Sequence, residues 1–164
     1  MSYALSAEAS AQVPATADAL FAFLDDPRSL GGHMEKPSAM MLGGTMRYAF
    51  DAGGGQAIGS VISMKGNVLG LSLTLDEGVT ERSPPTRKVW ETRGAPDLLV
   101  IGPYRMGFEI VPHGEQSQVR VFIDFDLSQR GLSRLLGAWF GRAYARWCVV
   151  RMAKDAERHF KQGR

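Results

Sequence analysis

The sequence has a single cysteine, Cys148, so no internal disulfide can form. A chain without disulfides fits a reducing compartment. The neighbours of this cysteine, Trp147, Val149 and Val150, indicate a small buried hydrophobic side chain rather than a nucleophile.

Long apolar runs and a leader sequence are also missing. No apolar run approaches about 18 residues, and the N-terminal MSYALSAEAS has neither a basic region nor a continuous apolar region. A membrane-spanning helix and a signal peptide are therefore not predicted, and we expect a soluble cytoplasmic protein.

The common catalytic and metal-binding motifs are absent. The three histidines, His33, His113 and His159, are scattered, and no paired Cys/His spacing accompanies them, so we predict neither a metal site nor a cofactor. There is no G-x-S-x-G, no P-loop and no dinucleotide fingerprint. Hydrolase, NTPase and dinucleotide-binding functions consequently have no support.

The net charge of +2 conceals an asymmetry along the chain. Residues 130–164 carry nine Lys or Arg against Asp155 and Glu157, whereas the preceding residues carry ten bases against fifteen acids. This pattern favours a basic solvent face that complements an acidic remainder. No nucleic-acid recognition motif accompanies the charge, so no nucleic-acid partner is predicted. A membrane-surface or protein-partner role of the basic segment remains a further alternative.

The first part of the chain predicts one strand and two short helices within a single domain, 1–164. Residues 3–13 alternate between apolar and polar side chains, as in a half-buried strand. Thr16 suits an N-cap, and apolar residues at helical spacing follow until Pro27. A second helical turn is expected at residues 29–33, followed by a loop.

Six more strands and a long helix are predicted after this loop. The strands are expected at residues 45–51, 58–65, 69–82, 87–93, 98–111 and 119–127, with short connections that favour antiparallel pairing. A helix is expected at residues 131–160, because no proline lies between Arg130 and Arg164. The predicted class is therefore α+β, with a seven-stranded antiparallel sheet curved around the C-terminal helix.

Three stretches carry a resemblance to a known superfamily. They are V-P-A-T-A-D-A-L-F-A-F-L-D-D-P at 13–27, V-I-G-P-Y-R-M-G-F-E-I at 100–110, and the closing helix. Together they resemble the SRPBCC superfamily, which includes START lipid-transfer domains, Bet v 1-like proteins and polyketide cyclase or dehydratase-like proteins. The resemblance implies a helix-grip fold, with a deep cavity between sheet and helix that usually holds an apolar or amphipathic small molecule. Function varies widely within this superfamily.

Strand parity separates cavity candidates from surface residues. On regular strands the apolar faces of residues 98–110 and 119–127 point inward. The opposite faces carry the charged residues Arg105, Glu109, Arg120, Asp124 and Asp126, so the two aspartates are not predicted to form an acid/base pair. A bulge near Gly102 or Gly107 would reverse the parity locally.

The predicted ligand-binding residues come from the inward strand faces and from the C-terminal helix. They are Tyr48, Phe50, Trp90, Tyr104, Met106, Trp139, Phe140, Ala143 and Trp147. The inner surface is expected to be mostly apolar, with Tyr48, Trp90 and Tyr104 as its polar groups. The outer face remains an alternative for Trp90, because Lys88 and Thr92 share its parity.

The long helix carries two apolar stripes, rotated by roughly 100° from each other. The first contains Leu135, Trp139, Phe140 and Ala143, and the second contains Val149, Ala153, Ala156 and Phe160. We expect the N-terminal half to line the cavity and the C-terminal half to pack on the sheet and the first helix.

Two functions remain open from the sequence. The first is binding or carrying of a small hydrophobic or amphipathic ligand, lipid-like or aromatic, without catalysis. The alternative is a polyketide cyclase/dehydratase-like enzyme in which Tyr104 or Tyr48 donates a proton and His33, at the expected cavity rim, or an inward-turned acid is the base. The ligand and the oligomeric state are not predicted.

Overall fold

The computed structural model describes residues 3–31, 45–68, 71–98, 100–128 and 131–162. In chain order its elements are β1 (Leu5–Val13), α1 (Ala17–Asp25), α2 (Pro27–Gly31), β2 (Thr45–Phe50), β3 (Val61–Val68), β4 (Leu71–Ser83), β5 (Arg87–Asp97), β6 (Ile101–His113), β7 (Gln116–Leu127) and α3 (Gly131–Gln162).

The seven strands form one antiparallel sheet with the order β1-β7-β6-β5-β4-β3-β2. Strands that follow one another from β2 to β7 are hydrogen-bonded neighbours, whereas β1 joins the far edge by pairing with β7, with Leu5 opposite Phe125. The predicted α+β helix-grip architecture is confirmed, including the two short helices between β1 and β2.

The two short helices contact each other, and α1 also contacts β6, β7 and α3. Thr16 caps α1 by accepting a hydrogen bond from the backbone N–H of Ala19 at its Oγ1, and α1 buries its apolar face, Leu20, Phe21 and Leu24. The second helix, α2, begins at Pro27, two residues before the predicted start, because proline suits the first turn of a helix. The expected continuation to residue 33 lies outside the described residues.

Glycine conformation explains where β3 begins. Gly55 and Gly59 have φ angles of 74° and 85°, which L side chains rarely adopt, so the chain turns through this segment instead of continuing as a regular strand. Ile58, predicted to start the strand, lies in the turn with 67% of its surface exposed. The strand therefore begins at Val61.

The long helix packs against β1 and β7. The buried residues of α3 include Ala145, Val149, Met152, Ala153 and Ala156. The second apolar stripe predicted from the sequence, around Val149, Ala153 and Ala156, is therefore in the core. No helix among the described residues has the length and apolar character needed to cross a membrane.

The N-terminal half of α3 approaches the sheet through glycines. A Cβ added to Gly137 or to Gly141 would lie 2.8 Å from the carbonyl oxygen of Val100, so neither position has room for a side chain. With glycine turned toward the sheet, the bulky neighbours point away: Trp139 is 80% exposed and Phe140 is 56% exposed. The prediction that Trp139 and Phe140 line the cavity is wrong.

Candidate functional site

A cavity of about 80 Å³ lies on the concave side of the sheet, between β2–β7 and α3. Most of its wall is apolar. The lining residues are Pro27, Tyr48, Ile62, Met64, Glu77, Lys88, Trp90, Ile101, Tyr104, Met106, Ile123, Tyr144, Cys148 and Met152.

Four of the nine predicted ligand-binding residues line this cavity: Tyr48, Trp90, Tyr104 and Met106. The alternative that Trp90 lies on the outer face is excluded, because its side chain is buried against the cavity. That these residues contact a ligand stays a prediction. Phe50 lies beside the cavity without lining it: its ring is stacked 6.1 Å from that of Tyr48, and the guanidinium of Arg28 lies 4.9 Å from its centre.

The α3 candidates lie elsewhere. Trp139, Phe140 and Ala143 are exposed, and Trp147 is half-buried without lining the cavity. The helix lines the cavity through Tyr144, Cys148 and Met152 instead, which recur at a spacing of four residues along one face. Hydrophobicity favours the largest side chains as the inward ones. The glycines at the closest approach of α3 to the sheet turn a different face of the helix inward.

A register shift in β6 changes which residues face inward. Ile101 pairs with Leu127 and Tyr104 pairs with Phe125, so β6 carries one residue more than β7 between these pairs. Ile101 consequently lines the cavity, whereas Val100, which shares its parity with Tyr104, does not. The bulge lies at Gly102–Pro103, one of the two places where the sequence suggested one.

Glu77 is the central polar residue of the cavity. It lies on β4, is 5% exposed, and accepts a hydrogen bond from the hydroxyl of Tyr104 on β6. Burial raises the pKa of Glu77 to about 7, although hydrogen bonds from the Tyr104 and Trp90 side chains and the charge of Lys88 oppose this rise. A carboxyl group with this pKa exchanges protons near neutral pH.

The hydroxyls of Tyr104 and Tyr144 remain protonated. Burial and the neighbouring Glu77 carboxylate raise the pKa of Tyr104 well above its ordinary value. Burial likewise raises the pKa of Tyr144 well above its ordinary value, with Cys148 adding to the shift. Tyr104 donates its single hydroxyl hydrogen to Glu77, so toward a molecule in the cavity it offers its oxygen lone pairs while that contact is kept.

Lys88 is buried in the cavity wall, where it forms an ion pair with Asp25 of α1. Its Nζ lies 2.8 Å from Oδ1 of Asp25 and donates a hydrogen bond of 2.7 Å to the Asp25 carbonyl oxygen. Arg82 contacts the other carboxylate oxygen of Asp25 at 2.8 Å. Burial lowers the pKa of Lys88 although the ion pair opposes this. Burial also raises the pKa of Asp25, but the hydrogen bonds from Arg82 and Lys88 outweigh it and hold that pKa below its ordinary value.

The sequence argument missed Glu77, although a signal was available. Glu77 continues the alternation of Leu71, Leu73 and Leu75 along β4, so its parity alone places it on the inner face. Lys88 was used as a reason to turn Trp90 outward, yet both side chains are buried. Its partner Asp25 is 63 residues away, and no local pattern reveals such a contact.

The other residues singled out from the sequence lie on the outer face of the sheet, in the cavity wall, or outside the described residues. Arg105 and Asp124 lie on the outer face of the sheet, as strand parity predicts, and they form an ion pair at 2.7 Å. Burial raises the pKa of Cys148 to about 12, so its thiol is a cavity-wall group rather than a nucleophile. His33 lies outside the described residues. Within the described part of the chain, no group of three His, Cys, Asp or Glu could hold a metal ion.

The sequence also matches the model of a known protein family. The family described as polyketide cyclase / dehydrase and lipid transport matches residues 4–162. The protein belongs to this family. Its membership, with the helix-grip fold, confirms the SRPBCC resemblance drawn from the sequence. Comparison with functionally curated proteins gives no match.

Solved structures share the fold of this polyketide cyclase/dehydrase family member at low sequence identity. The protein TTHA0849 from Thermus thermophilus aligns with a TM-score of 0.69 and 13% identity, covering 97% of this chain and 99% of its own. The ZhuI aromatase/cyclase from a Streptomyces species aligns with a TM-score of 0.69 and 14% identity, covering 96% and 94%. Norcoclaurine synthase from Thalictrum flavum, a point mutant bound to a transition-state analogue, aligns with a TM-score of 0.66 and 11% identity, covering 97% and 95%. These similarities establish the fold.

Proposed function

We propose that the protein binds a small molecule with an apolar body and one hydrogen-bonding group, which lies against Glu77 and Tyr104. The observation that carries this proposal is the buried Glu77–Tyr104 pair in an otherwise mostly apolar wall. Ligand sites commonly combine such a wall with a few polar groups that fix orientation. The lipid-transport part of the family description agrees with a binding role.

The size of the cavity limits the ligand. A volume of about 80 Å³ has room for roughly five waters, whereas pockets that enclose a whole drug-sized ligand measure about 300–1,000 Å³. The cavity therefore takes a single small ring, or one end of a longer molecule whose remainder lies outside.

The polar group of the ligand is a hydroxyl or a carbonyl. Glu77 is an acceptor when ionised and a donor when protonated, and the Tyr104 oxygen, whose hydrogen is donated to Glu77, has lone pairs that accept. A purely apolar ligand would leave both groups without a partner from the ligand. We therefore expect phenol to bind better than toluene, which has a similar shape without the hydroxyl.

The matched pair phenol and toluene tests this function by calorimetry. The wild type is expected to prefer phenol, and the Glu77→Gln, Tyr104→Phe double variant is expected to lose about tenfold of that preference. Leu135→Ala, on the exposed face of α3, is the control and should leave both affinities unchanged. Absence of binding of either compound at millimolar concentration contradicts the proposal.

A second candidate function is acid–base catalysis on the bound molecule, in keeping with the cyclase/dehydrase part of the family description. The observation that favours it is the pKa of about 7 at Glu77, in contact with the protonated Tyr104. In this reaction the Glu77 carboxylate removes a proton from the carbon beside a carbonyl group. The C–H electron pair forms the new C=C bond, the C=O π pair moves onto the oxygen, and this oxyanion accepts the hydrogen bond that the Tyr104 hydroxyl gave to Glu77 before the carboxyl group was protonated. Glu77 takes the place that the sequence analysis gave to His33 or an inward-turned acid.

Deuterium exchange into cyclohexanone in D₂O, followed by NMR, tests this second function. Exchange should rise with pH through about 7 as Glu77 ionises, and should be lost in Glu77→Gln. Equal exchange in wild type and Glu77→Gln contradicts catalysis. If the protein binds phenol selectively but does not catalyse deuterium exchange, it is a binding protein without this activity.

A further inference from the structure

The outward face of the N-terminal half of α3 presents apolar and basic side chains together. Leu135 is 61% exposed and Trp139 is 80% exposed, and they lie one helical turn apart. Arg142 and Arg146 continue the same face at the following turns, and both are exposed. Phe140, 56% exposed, flanks this face. We call these five residues the α3 patch.

The charge around the α3 patch has one sign. No Asp or Glu occurs from residue 127 to residue 154, whereas this stretch contains five arginines and one lysine. Among the described residues, neither Arg142 nor Arg146 has an ion-pair partner, although the arginines of the sheet's outer face, such as Arg105 and Arg120, are paired with acids. The α3 patch therefore retains an uncompensated positive charge.

We propose that the α3 patch docks the protein on the surface of an anionic lipid bilayer. A Trp beside apolar side chains and arginines on one helix face is the combination that inserts at the boundary between headgroups and acyl chains. The exposed Trp139, Phe140 and Leu135 would enter this boundary, and Arg142 and Arg146 would contact lipid phosphates. The proposal does not depend on what the cavity binds.

A second copy of the chain is a poorer occupant of this surface. In a two-fold symmetric dimer the same patch lies on both partners, so the arginines of one copy would face those of the other without acids between them. An anionic bilayer supplies the opposite charge and an apolar layer at the same time.

Vesicle sedimentation tests the proposal. The protein should bind vesicles of phosphatidylcholine with about 30% phosphatidylglycerol, and should bind much less to phosphatidylcholine alone. Binding should fall strongly between about 50 mM and about 500 mM NaCl, because salt screens the arginines. The Trp139→Ala, Phe140→Ala variant should lose about tenfold in partition coefficient, and Arg142→Glu, Arg146→Glu should lose at least as much at low salt.

Two controls separate docking from other effects. Ile58→Ala removes a comparably exposed apolar side chain in the turn before β3 and should bind vesicles as the wild type does. Lipids with brominated acyl chains should quench a fluorescence component that disappears in Trp139→Phe, because the other two tryptophans, Trp90 and Trp147, are buried or half-buried.

Each other outcome contradicts the proposal. Vesicle binding that is insensitive to Trp139, or absent, overturns it. Trp139 fluorescence that shifts with protein concentration in the absence of lipid indicates that a second copy covers the patch. Fluorescence that resists iodide quenching in the monomer indicates that another segment of the chain covers it, and retention on single-stranded DNA in place of vesicles assigns the patch to a nucleic acid.

Discussion

The hydroxyl of Tyr104 donates a hydrogen bond to the carboxylate of Glu77, and this contact joins β6 to β4 across the intervening β5. Trp90 on β5 adds a hydrogen bond to the same carboxylate. Three neighbouring strands thus each contribute one side chain to this hydrogen-bonded group on the concave face, where the surroundings are otherwise mostly apolar. The environment of Glu77 follows from sheet geometry, because all three positions have inward parity.

Replacing Glu77 by Gln should change how stability depends on pH. The pKa of Glu77 is raised from 4.5 to about 7 in the folded protein, so between these pH values the folded state holds a proton that the unfolded chain has lost. The free energy of unfolding then falls as pH rises through this window, on the order of 3 kcal/mol.

Glu77→Gln removes this pH dependence of stability, because the glutamine amide does not titrate. In urea unfolding, the free energy of unfolding of the variant, relative to that of the wild type, should increase between about pH 4.5 and about pH 8. A difference that is the same at both pH values contradicts the raised pKa.

Replacing Lys88 by Met should raise the pKa of Glu77 further. The charge of Lys88 lowers that pKa in the wild type, and methionine fills a similar volume without a charge. Because the Trp90 side chain hydrogen-bonds to Glu77, tryptophan fluorescence followed against pH should report the titration.

The fluorescence midpoint, near 7 in the wild type, should move upward in Lys88→Met. Arg82→Met is the matched control, because Arg82 contacts the same Asp25 carboxylate but is not among the groups that shift the pKa of Glu77. Equal midpoints in Lys88→Met and the wild type would show that Lys88 has no influence on Glu77.

The sequence predicted the strands and the long helix because their signals are local. Alternation placed Met106 and Tyr104 on the inner face of β6 correctly, since side-chain parity follows directly from the extended backbone. The same rule, extended by one residue pair along β4, would have placed Glu77 there too. The inward position of Glu77 is therefore readable from the sequence alone.

Two other features could not be read from local patterns. The ion pair between Lys88 and Asp25 depends on how α1 sits on the sheet, which is a tertiary property. The orientation of α3 depends on a close approach to the Val100 carbonyl oxygen that only Gly137 and Gly141 permit. Hydrophobicity favoured Trp139 as the inward residue, but backbone contact decides which face turns inward.

Bulk introduced at Cys148 should block the cavity, whereas the same bulk at Ala143 should not. Cys148 is buried in the cavity wall, and Ala143 is exposed on the same helix. We expect Cys148→Phe to abolish phenol binding in calorimetry and Ala143→Phe to bind phenol as the wild type does.

Overpacking at Cys148 also costs stability, roughly 1–3 kcal/mol, so circular dichroism must first show that the variant is folded. Cys148→Leu, with a smaller added volume, serves if Cys148→Phe does not fold, and should weaken binding at least severalfold. Loss of binding in Ala143→Phe instead would restore the helix orientation that the sequence suggested.

Replacing Gly141 by Ala should destabilise the protein, contrary to the usual effect of this change inside a helix. Alanine is normally favoured over glycine by about 1 kcal/mol, but a Cβ at this position would lie 2.7 Å from Cδ2 of Leu127 and 2.8 Å from the carbonyl oxygen of Val100. The backbone contact cannot relax without moving α3 from the sheet, so we expect a net loss of roughly 1–3 kcal/mol. Ala143→Gly, at an exposed position two residues away, provides the reference for propensity alone and should cost about 1 kcal/mol. Urea unfolding of both variants measures these changes in stability. A Gly141→Ala protein more stable than the wild type would mean that α3 does not approach the Val100 carbonyl oxygen this closely.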